Sequence, residues 1–251
     1  MLNKKWFAIF ISSMFIVGCA KKTSVAVVPI TDVREISKFD SLVVTGSSNV
    51  ELINGQSALI AYGYPQDIKD SNAHIAKNVL YIDKVNDKVK MSIRTGSLRN
   101  ISVFDKANVS SKDFKADNLN ILAQNSGSIK LNGEIGINKI YQRGSGKIEV
   151  DWVNGDKLNV DSNSAGPIYL SGNADYLQAK LTNNAVMDAR YLRVRSAAIF
   201  TTDNARADVL VLDALGAFAV DTSNIYYYKN PKHLTVVTKG SGNVLHPDWI
   251  K

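Results

Sequence analysis

The chain has 251 residues with a net charge of +7, 16 glycines, five prolines and one cysteine. A lone cysteine excludes a disulfide framework and any zinc site built on paired cysteines. The positive excess is spread thinly, with no Lys/Arg run beyond adjacent pairs, so a nucleic-acid-binding surface is not expected.

Lys4 and Lys5 precede an apolar run from Trp6 to Val17, and Ile16-Val17-Gly18-Cys19 closes it. A basic start, a short apolar stretch and a small residue at its end form the pattern of an export signal. Its twelve residues fall short of the roughly 20 that a membrane-spanning helix needs. The closing tetrapeptide resembles the lipobox of bacterial lipoproteins. That resemblance implies removal of residues 1–18, a diacylglyceryl group on the Cys19 sulfur and an acyl chain on its freed amine. Two or three chains hold a protein stably at a membrane where one does not. The mature chain would then keep 233 residues and a net charge of about +5, enough for one large domain or two small ones. Ala20, where an Asp would resemble an inner-membrane retention signal, points to the outer membrane of a Gram-negative cell, facing either the periplasm or the outside.

Residues 19–35 carry Pro29 and no clear periodicity, and are expected to be a lipidated tether. An edge strand at Val25-Ala26-Val27-Val28 is the alternative. Residues 36–117 hold Gly46-Ser47-Ser48-Asn49 before Val50-Glu51-Leu52, then alternating stretches at Val79-Leu80-Tyr81-Ile82 and Ile101-Ser102-Val103. Pro65 to Ala76 interrupts them as a short helix or loop. This third reads as the irregular opening of a larger stack, or else as a separate small β-domain.

From residue 118 to 246 the chain repeats itself. A small polar turn is followed each time by a short alternating strand: Asn125-Ser126-Gly127-Ser128 before Ile129-Lys130-Leu131, Gly144-Ser145-Gly146-Lys147 before Ile148-Glu149-Val150, and Gly240-Ser241-Gly242-Asn243 before Val244-Leu245-His246. The first apolar residue after each turn falls at 129, 148, 168, 187, 207, 225 and 244, with spacings of 18 to 20. A fixed period of that size signals a solenoid. Two short inward-facing strands per period cannot bury a core alone, but windings stacked in register make a continuous apolar column. The predicted fold is therefore an all-β, single-stranded parallel β-helix with rungs of 19–20 residues; a β-sandwich has no need of such a period. Gly and Asn at the turns are expected to supply the positive φ of sharp corners. Residues 247–251 are expected to cap the last rung, with Trp249 and Ile250 over its open apolar face.

Polysaccharide-cleaving enzymes use β-helices too, so stacked carboxylates bear on function. Asp188 and Asp208 sit at matching strand positions one period apart, with Glu149 in the same column, so they are expected to stack. Lys130 and Tyr169 occupy that column in other rungs, as on an ordinary mixed outward face. His74, His233 and His246 form no triad or metal-ligand pattern. No catalytic residue, no metal site and no cofactor is assigned. Tyr226 and Tyr228, left outside as Tyr227 turns inward, are the candidate binding residues, since exposed tyrosines suit carbohydrate or protein contact.

Taken together, Phe39-Asp40-Ser41-Leu42-Val43-Val44 leading to Gly46-Ser47-Ser48-Asn49-Val50, the recurring turns, Asn224-Ile225-Tyr226-Tyr227-Tyr228-Lys229-Asn230-Pro231-Lys232 and Lys239-Gly240-Ser241-Gly242-Asn243-Val244 resemble the putative auto-transporter adhesin family with a head GIN domain. The resemblance spans about Phe39 to Val244 and implies a right-handed β-helix on an exported protein, without established catalytic residues. Asn-Asn-Ala and Asp-Asn-Ala replace Gly-Ser-Gly in the middle turns. The expected function is a non-enzymatic envelope lipoprotein offering an adhesion or interaction surface, held to the membrane through Cys19, with a protein or polysaccharide ligand open and the oligomeric state undetermined. A glycan-binding or glycan-degrading β-helix and an envelope assembly factor are the alternatives.

Overall fold

A strand whose alternate residues are apolar buries one face only, and needs a second apolar surface above or below to complete a core. In the computed structural model, which describes residues 27–247, each winding supplies that surface to the next. Cys19, Trp249 and Ile250 lie outside the described residues, and so do residues 19–26 of the expected tether.

In chain order the N-terminal strands are β1 (Ile30–Glu35), β2 (Ser41–Val44), β3 (Asn49–Asn54) and β4 (Ala58–Gly63). After the five-residue helix α1 (Pro65–Lys69) come β5 (Asn72–Ala76), β6 (Val79–Lys84), β7 (Lys90–Thr95), β8 (Asn100–Val103), β9 (Asn108–Ser111) and β10 (Ala116–Asn125). Five long bent strands follow: β11 (Ser128–Gly144), β12 (Ile148–Ser162), β13 (Pro167–Leu181), β14 (Val186–Thr201) and β15 (Arg206–Asp221). The chain closes with β16 (Asn224–Tyr227), β17 (His233–Gly240) and β18 (Asn243–Leu245). Together they form a β-solenoid of about eight turns.

The register matches the predicted period. Ile129 pairs with Ile148, Ile148 with Ile168, Ile168 with Met187, Met187 with Ala207, Ala207 with Ile225 and Ile225 with Val244, all in parallel strands. Ile129, Ile148, Ile168, Met187, Ala207 and Ile225 are fully buried or nearly so. A second inward column runs through Leu158, Leu177, Ala197, Leu215 and Leu234. Burying one such Ile or Leu contributes about 1.5–3 kcal/mol.

Residues 36–117 pair into the same sheet, but not in sequence order. The winding β2–β3 lies between β6–β7 on one side and β8–β9 on the other. The first winding of the chain is thus the second of the stack. Beyond β6–β7 the pairing turns antiparallel: β4 lies along β7, β5 along β6, and β1 along β4. Antiparallel strands end the parallel column, and the outermost, β1, carries Asp32, Arg34 and Glu35, charges that discourage pairing with another chain. Residues 30–35 are therefore a strand rather than tether. The Gly63 end of β4 and the Ile30 end of β1 meet in register, which fixes the entry of the chain.

The opposite end is open among the described residues. All eight residues of β17 are exposed, and inward-column residues Leu234 and Val236 keep 42% and 45% of their surface accessible because no described winding follows.

The turns differ from expectation in one respect. Positive φ at the first turn position is carried by Gly46, Asp105, Asn125, Asn183, Asp203, Asp221 and Gly240, so Asn and Asp do this job more often than Gly. The Asp side chains do more: Asp105 accepts from the Gly46 N–H (3.1 Å) and Asp203 from the Asn183 N–H (2.9 Å), tying one winding to the next. Gly144 and Gly146, by contrast, are needed for proximity. A Cβ on Gly146 would stand 2.0 Å from the Gly127 carbonyl oxygen, and one on Gly144 would stand 1.9 Å from that of Asn125. Gly146→Ala is accordingly expected to lower the unfolding free energy by about 1–3 kcal/mol. Gly155→Ala, whose new Cβ would have its nearest neighbour at 3.7 Å, should stay within about 0.5 kcal/mol of the parent. Equilibrium denaturation in urea measures both, and equal effects would contradict the close-approach argument.

Candidate functional site

The outward positions of the first half of each winding form one column along the solenoid: Lys130, Glu149, Tyr169, Asp188, Asp208 and Tyr226, each paired in register with the next. Adjacent windings lie about 4.8 Å apart, so side chains of this column touch across rungs. Asp188 and Asp208 are neighbours in it, as their spacing predicted. Two like charges opposite one another are destabilising unless something neutralises them.

Arginines two residues away on the same strand face do so. Arg190 donates from Nε and an Nη to the Asp188 carboxylate at 2.9 and 2.6 Å, and its backbone N–H adds a third bond at 3.2 Å. Arg206 donates in the same bidentate way to Asp208 at 2.8 and 2.9 Å. Asp208 is only 3% exposed and also accepts the Tyr228 hydroxyl at 3.0 Å. Hydrogen bonds from Arg190 hold the Asp188 carboxyl below the usual carboxylate range. Those from Lys130, then Lys147, do the same for Glu149. Burial first, and the bond to Asp208 second, push the Tyr228 phenol up.

The two tyrosines singled out from the sequence belong to this network. Tyr226 and Tyr228 both face outward and are half-buried. The Arg206 guanidinium lies 4.6 Å from the centre of the Tyr226 ring, and that of Arg190 lies 5.4 Å from the centre of the Tyr228 ring. Tyr227 packs against the core and meets His246 edge-on at 5.1 Å. The structure brings Tyr226, Tyr228, Asp188 and Asp208 together at one end of the face, but each is already engaged by a neighbour.

More accessible aromatics lie elsewhere, and sequence reasoning passed over them: Trp152 is 66% exposed, Tyr191 74% and Tyr169 42%. Trp152 sits at the second corner of its winding with φ +64°. Tyr191 follows a register shift between Tyr169 and Ser171 on β13 and their β14 partners, which pairs Tyr191 with Ser171. Tyr169 and Tyr191 flank a groove of about 400 Å³ with Glu149, Asp151 and Asp188 along it. The charge pairs were legible in principle, since Asp188-Ala189-Arg190 and Arg206-Ala207-Asp208 place opposite charges at i and i+2 on one strand face. The shift that exposes Tyr191 was not.

The remaining histidines are scattered. His74 stacks on Tyr81 at 5.0 Å and lies 3.3 Å from Asp83, while His233 is exposed at the start of β17. Among the described residues no three His, Cys, Asp or Glu side chains converge as a metal site would require. No described helix is long and apolar enough to cross a membrane.

The family model for "Putative auto-transporter adhesin, head GIN domain" matches residues 38–231. The chain belongs to this family. Solved structures with the same fold include a "putative adhesin" from Parabacteroides distasonis (19% identity, TM-score 0.75, covering 88% of this chain and 98% of that one). Another, from Parabacteroides merdae and also described as a putative adhesin, has 21% identity, a TM-score of 0.73 and coverage of 87% and 95%. A third, from Parabacteroides distasonis, is described as a "putative lipid binding protein" and has 18% identity, a TM-score of 0.75 and coverage of 87% and 96%. At these identities the likeness is one of fold. No curated protein matches the chain.

Two expectations follow for this head GIN domain. Arg206→Ala, which leaves the buried Asp208 with only its tyrosine donor, should cost about 1–3 kcal/mol in denaturant unfolding. Arg195→Ala, which breaks the exposed Arg195–Asp175 pair (64% and 55% exposed side chains), should cost less than about 1 kcal/mol. The second concerns pH. Asp188 has a folded-state value below its unfolded one of about 3.9. Its stabilising contribution is therefore complete above about pH 5 and fades as pH falls through the folded value. Asp188→Asn should show a smaller drop in Tm between pH 6 and pH 3 than the parent; an equal drop would mean that Asp188 is not linked to stability.

Proposed function

We propose that this protein is an exported lipoprotein, anchored through Cys19, whose β-helix is a rigid, non-catalytic surface for adhesion or molecular interaction in the cell envelope, most naturally on the outer membrane. The observation that carries the reading is the outward column from Lys130 to Tyr226. Its carboxylates are committed to Lys and Arg partners at hydrogen-bonding distance. A carboxylate that must shuttle protons or hold a divalent cation is not served by a bidentate arginine clamp, whereas a durable binding face is. Membership of an adhesin family supports the same reading. So does the construction of the molecule. In-register windings fix every outward side chain relative to its neighbours, so a partner can be met with little loss of conformational freedom.

The lipid anchor rests on the Ile16-Val17-Gly18-Cys19 pattern and on the basic and apolar stretches before it. In cells fed radiolabelled palmitate, the parent protein should take up label and fractionate with membranes. Cys19→Ala should take up none and appear in the soluble fraction. Protease shaving of intact cells then separates an outward-facing adhesion surface, which is digested, from an envelope assembly factor facing the periplasm, which is spared until the outer membrane is opened. Label on the Cys19→Ala protein would refute the anchor, and full protection from shaving would refute surface adhesion.

A further inference from the structure

We propose that the groove between Tyr169 and Tyr191 is a binding site for a neutral, hydroxyl-rich oligosaccharide chain that crosses the two windings carrying these tyrosines. This deepens the interaction-surface reading above and rests on it. The groove holds about 400 Å³ on the outward face of β12, β13 and β14. It adjoins the tyrosine–arginine–aspartate cluster at Tyr226 and Tyr228 and shares Asp188 with it, while Tyr169, Tyr191 and Asp151 lie outside that cluster.

Three observations select the ligand chemistry. The first is the aromatic surface. Tyr191 is 74% exposed and Tyr169 is 42% exposed, on consecutive windings of a sheet whose inward residues Ile168, Leu170 and Leu192 are buried. Both rings lie on one outward face, each with a cation over it. The Lys147 ammonium lies 5.8 Å from the Tyr169 ring centre, and the Arg190 guanidinium lies 5.9 Å from that of Tyr191. A flat aromatic face fixed on a rigid strand suits the apolar C–H face of a pyranose ring.

The second is charge. Glu149 is bonded to Lys130 and Lys147, and Asp188 to Arg190, so three cations offset the carboxylates along the groove. Neither a polyanion nor a polycation finds a matching field there. Asp151 is the exception: it accepts one bond, from the Ser171 hydroxyl at 3.0 Å, and a carboxylate has further lone pairs to offer to ligand hydroxyls. The groove therefore supplies acceptors beside aromatic faces, the combination that a neutral sugar needs.

The third is spacing. Successive windings advance by about 4.8 Å and two strand residues by about 6.6 Å, so the two tyrosines stand obliquely to one another and can face neighbouring sugars of one chain. Tyr169 and Tyr191 belong to adjacent windings, with Tyr191 paired to Ser171, two residues beyond Tyr169.

The test is calorimetric titration of the folded mature protein with cellohexaose, xylohexaose, mannohexaose and chitohexaose, and with hexagalacturonate as the acidic counterpart. Saturable binding of at least one neutral chain is expected, with hexagalacturonate weaker. Tyr191→Ala and Tyr169→Ala should each weaken binding tenfold or more, with Tm unchanged, because Tyr191 and Tyr169 are exposed. Tyr191→Phe should keep affinity within about threefold, since stacking survives. Tyr62→Ala, at a tyrosine on β4 whose exposure of 50% lies between those of Tyr169 and Tyr191, should change nothing. Absence of binding by all four neutral chains, binding that survives both alanine variants, or tighter binding of the acidic chain would each overturn the site. Failure here is distinguishable from failure of the broader reading. A protein digested by shaving that ignores every neutral chain remains a surface protein without this site. A protein spared by shaving that binds one through Tyr191 has the site without the surface location.

Discussion

The hydrogen-bonded register between windings is the constraint on which the rest of the molecule depends. Each winding is about 19–20 residues long because that length returns the first apolar residue after the turn to a position directly above its predecessor, from Ile129 to Val244. A slip of one residue would turn Ile148, Val150, Ile168 and Leu170 outward together, since strand side chains alternate with a period of two. Register also decides the composition of the turns. Where backbones approach most closely a Cβ has no room, as at Gly144 and Gly146. Where the chain must enter the left-handed region, Asn and Asp suffice and their side chains reach across to the neighbouring winding. Asparagines stacked at the corners add bonds between rungs, from Asn108 to Asn49 at 2.9 Å and from Asn243 to Asn224 at 3.2 Å.

In-register stacking has an electrostatic consequence. Any outward side chain has a permanent neighbour one winding away, so a charge repeated at the same position meets itself. The column handles this by alternating sign across rungs, as between Lys130 and Glu149, or by supplying a counter-ion from the same strand, as Arg190 does for Asp188 and Arg206 for Asp208. The second device leaves carboxylates stacked yet compensated. A pair of acids one rung apart on a β-helix therefore says little about catalysis until their partners are known.

Much of the fold was legible because periodicity is a global signal: seven turn positions fixed the rung length, the inward columns and the stacking of Asp188 on Asp208. Non-sequential features were not legible. Nothing local in Ser41–Val44 or Val79–Lys84 tells which winding will sit outside the other, since both are short alternating strands and the order is set by the antiparallel pairing of β4 and β5. Residues 30–35 looked like tether because, among the described residues, the strand they pair with belongs to that rearranged end. For the candidate site, Tyr226 and Tyr228 stood out as a tyrosine run, but their outward position also brought them within reach of Arg206, Arg190 and Asp208. Tyr191 was hidden because its exposure comes from the register shift that Arg190 and its neighbours introduce.

That contrast bears on where recognition can reside in such a molecule. Within the regular columns, side chains are flanked by equivalents above and below, and most of the charged groups are satisfied there, although Tyr169 keeps 42% of its surface accessible. The two most accessible aromatic side chains among the described residues arise where the period is locally broken: at Trp152, with its left-handed backbone, and at Tyr191, after the shift in β14. A bulge adds residue without moving the inward columns, as Met187 and Val194 remain fully buried on either side of it. Bulges in sheets commonly re-aim a side chain in this way. The period supplies the rigid frame, and its interruptions are the places where the frame can be varied at little cost to stability. Differences in ligand preference between solenoids of this kind should therefore be sought at second-corner insertions rather than in the glycine-rich turns that mark the repeat.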